Sequence, residues 1–151
     1  MKQGKVVLIC GLPGSGKSTL SKKLENEEGF IRLCPDDWME DIGVSLWNGE
    51  ARSAIEQRFW RLAQKLASQG ITSILENGFW SKKERDNYLK IAREQGFKIE
   101  LRALYISKEE TRERLEARGA EADNLIIKEK LDSYFDAFEV PSEAELALYD
   151  N

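Results

Sequence analysis

Gly11-Leu12-Pro13-Gly14-Ser15-Gly16-Lys17-Ser18 fits the pattern G-x-x-x-x-G-K-[ST], and Thr19 follows it directly. A glycine-rich turn of this kind lets consecutive backbone N–H groups face inward around phosphate oxygens. Lys17 can then reach the β- and γ-phosphates, and the Ser18 hydroxyl can ligate Mg²⁺. Context supports the match, because the motif follows the apolar run Val6-Val7-Leu8-Ile9 and opens a helical pattern. The alternative is a strand-to-helix turn that carries Lys and Ser by chance, and it does not require that placement. The residues from Gly11, through Gly14, Ser15, Gly16, Lys17 and Ser18, to Thr19 are therefore expected to cradle ATP, with Mg²⁺ on Ser18.

The remaining candidates are groups that phosphoryl transfer would need. Such transfer rests mostly on positioning and charge stabilisation, plus a carboxylate that orients or deprotonates the attacking hydroxyl. Asp36 and Asp37 follow the second apolar run, where an acceptor would meet a γ-phosphate, and Asp36 is read as the base. On residue type alone, Asp36 is as good a helix N-cap. Glu76 closes the third apolar run, where a carboxylate could hold the water shell of Mg²⁺ or an acceptor hydroxyl; before Asn77-Gly78 it is equally a solvated turn residue. Arg114 and Arg118 are spaced i,i+4, share a helix face and could close over the phosphates, with Arg112 a weaker third. Glu109, Glu110, Glu113 and Glu116 among them would also fit a solvated helix. Of the tryptophans, Trp38 and Trp80 stand just behind strand ends and are pocket candidates, whereas Trp60, beside Phe59 and Leu62, reads as core.

Composition narrows the chemistry. There is no histidine, which removes Ser-His-Asp triads, histidine general bases and histidine metal sites. Lys+Arg of 23 against Asp+Glu of 27 gives a net charge of −4, so nucleic acid is disfavoured as a partner and a small-molecule acceptor preferred. Cys10 and Cys34 close apolar runs and read as buried thiols, not as a disulfide or a metal pair. The apolar stretch after Lys2 and Lys5 is too short for a signal peptide or a membrane span, so a cytoplasmic location is expected.

The elements that must position these groups alternate in the order of an α/β fold. Strands are expected at Lys5 to Cys10, Phe30 to Cys34, Ile71 to Glu76 and Phe97 to Ile106. Helices are expected at Lys17 to Glu28, Glu50 to Gln69, from the Ser81/Glu84 capping box to Gln95, from the Ser107/Glu110 box to Arg118, and at Leu125 to Phe138. Gly29, Gly70, Gly96 and Gly119 are the stops. Asp36 to about Asn48 reads as irregular and Ala120 to Asn124 as a short polar link, and the acidic stretch after Pro141 reads as a mobile tail. At 151 residues with 41% hydrophobic composition one domain is expected, with a parallel sheet of about four strands and helices on both faces. Ligand then belongs at the carboxyl ends of the strands.

The chain resembles small P-loop kinases of the AAA-type ATP-binding group: the zeta-toxin-like kinases, chloramphenicol phosphotransferase and the polynucleotide 5′-hydroxyl kinases. The residues that carry the likeness are Gly11 to Thr19, Asp36-Asp37-Trp38, Glu76-Asn77-Gly78-Phe79-Trp80, and Arg114 to Arg118-Gly119. The resemblance implies a three-layer P-loop NTPase sandwich with strand order 2-3-1-4 and a short helical lid. It also implies Asp36 as base, Arg114 and Arg118 as lid arginines, and the last helix near the adenine around Ile126 to Lys130. Polynucleotide kinases follow the Asp-Asp-aromatic triplet with an arginine that contacts the acceptor phosphate, whereas this chain has Met39. That departure points to a small organic molecule or nucleotide-like metabolite as acceptor, with a polynucleotide or nucleotide kinase, or an ATP-binding module without an acceptor, as alternatives.

Overall fold

A computed structural model describes residues 3–119 and 122–151. Its centre is β1 (Lys5–Cys10), in which Val6 to Cys10 are all buried, as expected of a parallel strand covered on both faces. Around it stand β2 (Ile31–Leu33), β3 (Ser73–Gly78) and β4 (Lys98–Ala103), in the order β2-β3-β1-β4 with every pairing parallel. The sheet order and the α/β class are those expected.

Alternation along β1 divides the core. Val7 and Ile9, with Ile74 of β3, meet Leu20 and Leu24 of α1 (Lys17–Glu28) on one face. Val6, Leu8 and Cys10 face the larger cluster, which holds Phe59, Trp60 and Ala63 of α3 (Gly49–Ser68) and Tyr88 and Ala92 of α4 (Lys82–Gln95). Trp60 stacks on Tyr88 with ring centroids 4.2 Å apart, so it is core, as its place in the helix predicts. Truncating a fully buried aromatic such as Phe59 would cost about 3–5 kcal/mol.

Glycine and cap chemistry set the helix ends. Gly29 and Gly96 close α1 and α4 in the left-handed conformation, each donating its N–H to the carbonyl four residues back. Ser81 and Ser107 accept from the backbone N–H groups of Glu84 and Glu110 and open α4 and α5 (Lys108–Ala117). The chain continues through α6 (Ala122–Ala137) to α7 (Glu143–Leu146).

Several boundaries differ from expectation. The segment after β2 is not irregular throughout: Pro35 occupies the first turn of α2 (Pro35–Asp41), where its fixed φ and missing N–H suit a helix start. Strands β2 and β4 are shorter than predicted, and β3 begins and ends two residues later; the apolar residues Phe97 and Leu104 that flank β4 pack into the core on either side of it, and Leu104 still donates its N–H to the Cys10 carbonyl. The last helix includes part of the predicted polar link, of which residues 120–121 lie outside the described residues.

The C-terminal segment is docked, not mobile. Arg85, wholly buried, places Nε 2.7 Å from Glu145 Oε2 and Nη2 3.0 Å from Oε1, and Glu145 is itself only 4% exposed. Beyond it, Asp150 accepts the Ile99 N–H and returns its own N–H to the Ile99 carbonyl, while Asn151 does the same for Leu101 through its carboxamide. The tail thereby covers the open edge of β4, whose backbone groups would otherwise stay unpaired. Acidic composition pointed to solvent; an interior arginine and a bare sheet edge bind the segment instead.

Candidate active site

β1 lies between β3 and β4 at the point where the chain's winding reverses, so the loop after β1 opens into a crevice at the carboxyl end of the sheet. Local geometry explains its glycines. Gly14 and Gly16 sit at φ +84° and +98°, conformations costly for any residue with a Cβ. A Cβ on Gly11 would fall 2.5 Å from Ser15 Oγ and 3.0 Å from the Leu104 carbonyl oxygen. Gly16 is also the N-cap of α1 and supplies no side-chain acceptor, which leaves the first N–H groups of that helix for an anion.

This loop forms one end of a cleft of about 590 Å³. Gly14, Gly16, Lys17, Ser18 and Thr19 line it, as do Asp36, Glu76, Trp80 and Arg118 from farther along the chain. Gly11 and Ser15 are buried parts of the loop behind that lining. Lys17 Nζ donates to the Gly11 carbonyl at 3.2 Å, the same oxygen that takes the Trp80 indole N–H at 3.1 Å. Burial holds the Lys17 pKa below its usual value, and the negative charges of Asp36 and Glu76 oppose that shift.

Glu76 is the best-connected carboxylate. Ser21 and Ser18 donate to it from α1, the latter at 3.0 Å; Cys34 Sγ donates at 3.0 Å, and Arg32 of β2 spans both its oxygens at 3.1 and 3.2 Å. Burial pushes its pKa up, but these hydrogen bonds outweigh it and hold the carboxyl below the ordinary range. The Cys34 thiol moves the other way, up to about 12 through burial and the same carboxylate, so it stays protonated as a donor. Both cysteines are free and buried, in line with the sequence reading. The Ser18 hydroxyl and the Glu76 carboxylate are hard oxygen donors side by side, a set that fits Mg²⁺. Among the described residues no group of three or more His, Cys, Asp or Glu forms a cage, so such an ion would depend on phosphate oxygens and water for its other ligands.

The two aspartates separate. Asp36 faces the cleft, its Oδ1 2.7 Å from Arg52 Nη2 of α3. Because Cys34 is the N-cap of α2 and Asp36 lies inside the first turn, the capping alternative for Asp36 is removed. Asp37 turns to Arg32 Nη1 at 2.5 Å, outside the cleft lining. Trp38 likewise lies outside it, 46% exposed and edge-on to Phe59, and Trp47 takes the place in the wall expected of Trp38.

Arg114 reaches the outer side of the loop, with Nη1 3.4 Å from the Gly14 carbonyl and Nη2 3.0 Å from Glu110. Arg118, one turn on at the end of α5, lines the cleft. Ile127 and Tyr134 of α6 complete that rim, in the region where the resemblance places the adenine.

Sequence reasoning missed Arg32, Arg52, Glu56, Asn77 and the side chain of Glu84. Arg52 and Glu56 carry a readable signal, an i,i+4 pair on one face of a helix that follows the acceptor segment. Glu84 hid behind its backbone role in a capping box.

Residues 6–141 match the AAA domain family. The chain belongs to that family. No curated protein matches it by sequence. Three solved structures share its fold. A candidate kinase from Chloroflexus aurantiacus is 17% identical, with 93% of this chain and 82% of that one covered and a TM-score of 0.72. A gluconokinase from Sinorhizobium meliloti is 20% identical over 95% and 80%, with a TM-score of 0.62. The APS kinase of Mycobacterium tuberculosis, solved with AMPPNP and APS, is 21% identical over 79% and 75%, with a TM-score of 0.60. At these identities the likeness shows a P-loop fold.

Proposed function

We propose that the chain is an ATP- and Mg²⁺-dependent phosphotransferase that moves the γ-phosphoryl group to a hydroxyl of a small organic molecule or nucleotide-like metabolite. The observation that carries this reading is the convergence of Lys17, Ser18, Asp36, Glu76 and Arg118 on one cleft. Ser18, and Glu76 through water, would hold Mg²⁺, which would supply positive charge against that of the phosphates. The loop N–H groups and the α1 N-terminus bind the phosphates, and Lys17 exchanges the Gly11 carbonyl for a phosphate oxygen. Asp36 accepts the acceptor's hydroxyl proton as that oxygen bonds to the γ-phosphorus and the bond from phosphorus to the ADP oxygen breaks. Arg52, paired to Asp36, fixes the carboxylate's direction. Arg118, with Arg114 behind the loop, neutralises charge as the phosphoryl moves.

A small acceptor suits a cleft of about 590 Å³ with Asp36, Glu56, Glu76 and Glu84 in its lining better than a nucleic acid does. Met39, at the position where polynucleotide kinases carry an arginine, is fully buried in the core and offers no phosphate contact. Among the described residues no helix is long and apolar enough to cross a membrane, and we assign the protein to the cytoplasm. The test is ADP release and labelled-phosphate transfer from ATP across a metabolite panel that includes a 5′-hydroxyl oligonucleotide. Transfer to a small hydroxylated compound supports the reading. Labelling of the oligonucleotide alone would replace it with a polynucleotide kinase, and tight ATP binding without any transfer with a nucleotide-binding module.

A further inference from the structure

The wall of the cleft formed by α3, α4 and the end of β3 carries an unbalanced set of polar groups. Glu56 and Glu84 both line the cleft, half-buried, and neither side chain has a hydrogen bond or an ion pair among the described residues. The nearby cations are committed elsewhere. Arg52 holds Asp36 and the Leu46 carbonyl, Lys17 holds the Gly11 carbonyl, and Arg85 is closed on Glu145. Between the two glutamates' elements, Asn77 also lines the cleft, its carboxamide buried with no hydrogen bond of normal length and with the Tyr88 hydroxyl as its polar neighbour. Trp80 and Trp47 add aromatic rings to the same lining, and Trp47 already holds one ammonium, Lys130 Nζ, 5.0 Å from its ring centroid.

Each of these groups alone has an ordinary explanation; together they are complementary to one kind of ligand. Two partly desolvated carboxylates without a counter-ion are destabilising to each other and to the fold, and a ligand ammonium would relieve both effects. The structure registers the stress: burial, and next the Glu84 charge, push the Glu56 carboxyl up to about 7, against the attraction of Arg52 and Lys17 and with a further push from Asp36. Burial raises Glu84 as well. An ammonium donates up to three hydrogen bonds and so can reach both carboxylates and the Asn77 carbonyl, while indole faces favour a cation. A phosphate- or sulfate-bearing acceptor would instead add negative charge to this wall.

Building on the phosphotransferase reading, we propose that Glu56, Glu84 and Asn77 form an ammonium subsite, so that the acceptor is an amino alcohol, with its amine held there and its hydroxyl presented to Asp36. The acceptor class is thus cationic and hydroxylated, of the amino-sugar or aminocyclitol type.

Matched probes test this: glucosamine against N-acetylglucosamine, glucose and glucose 6-phosphate, and 2-deoxystreptamine against myo-inositol, each with ATP and Mg²⁺. Two readouts are taken, ADP release and the shift in melting temperature caused by the probe alone. The amines should exceed their neutral and anionic counterparts about tenfold or more in kcat/KM, as expected for charge-assisted hydrogen bonds. Glu56→Gln and Glu84→Gln should erase that preference, chiefly by raising KM for the amine. Glu84→Asp, which keeps the charge, should retain part of it and serves if a Gln variant does not fold. If no probe is phosphorylated but the amines raise the melting temperature of the wild type and not of the Gln variants, the ammonium subsite stands and the transferase reading falls. Equal use of neutral or anionic partners, or amines that are neither used nor bound, overturns the proposal.

Discussion

Replacing Asp36 by Asn is the sharpest test of how the cleft works, because the part proposed for the residue in catalysis is separable from what it does for the fold. Its one ion pair, to Arg52 at 2.7 Å, joins a carboxylate 55% exposed to a guanidinium 32% exposed. Such a pair contributes about 0–1 kcal/mol. No capping contribution is lost, since Cys34 holds the N-cap position. At about 2–4 °C per kcal/mol for a chain of this size, Asp36→Asn should shift the melting temperature by no more than a few degrees. Loss of a base that takes the hydroxyl proton should cost about 10²- to 10⁴-fold in turnover, or roughly 3–5 kcal/mol of transition-state stabilisation. ATP affinity by calorimetry should stay near wild type, since the asparagine leaves the phosphate loop, Lys17 and Ser18 untouched. The assay is single-turnover transfer of labelled phosphate beside thermal unfolding. Full transfer activity in a folded Asp36→Asn protein would refute the assignment and move the base to another carboxylate of the cleft, such as Glu76.

Lys17→Ala should leave the fold intact and abolish most triphosphate use, because Lys17 makes a single backbone contact to Gly11; unchanged ATP affinity and turnover would contradict the loop reading. Arg118→Ala and Arg114→Ala should lower turnover more than ATP binding, with Arg118 the larger effect since it alone of the two lines the cleft; equal small effects on both would mark a merely solvated helix. Glu145→Ala strands Arg85 inside the protein without its carboxylate and should cost about 3–5 kcal/mol in chemical unfolding, whereas a change under about 1 kcal/mol would show the tail to be loosely held. For Glu56, a folded-state pKa raised from 4.5 to about 7 means that folding favours the protonated acid. The penalty is absent below about pH 4.5 and grows as pH rises to about 7, so Glu56→Gln should raise the melting temperature relative to wild type more at pH 8 than at pH 5; an equal effect at both would reject the shifted pKa.

What could be read from the chain and what could not follow from the range of the physics involved. The phosphate loop was legible because each of its requirements is local: positive φ at Gly14 and Gly16, no room for a Cβ at Gly11, and a lysine and a hydroxyl at the start of α1. The capping boxes and glycine stops are local too, and they placed the helices. Glu76 was found by its place at a strand end, but not its environment, because Ser21, Arg32 and Cys34 come to it from three other segments. Asp36 and Asp37 are neighbours of one type, and only the position of Arg32 on β2 and of Arg52 on α3 sends one to structure and the other to the cleft. The tail was misread for the same reason: composition averages over residues, whereas a single buried guanidinium at Arg85 decides where Glu145 must go. Glu56 and Glu84 extend the point to the acceptor. On exposed helices they would be unremarked surface charge, and it is the meeting of α3 and α4 over the end of β3 that turns them into an unpaired acidic wall facing the phosphate loop. The phosphate loop is thus written in one contiguous motif, while the opposite wall of the cleft exists only where helices from separate parts of the chain converge.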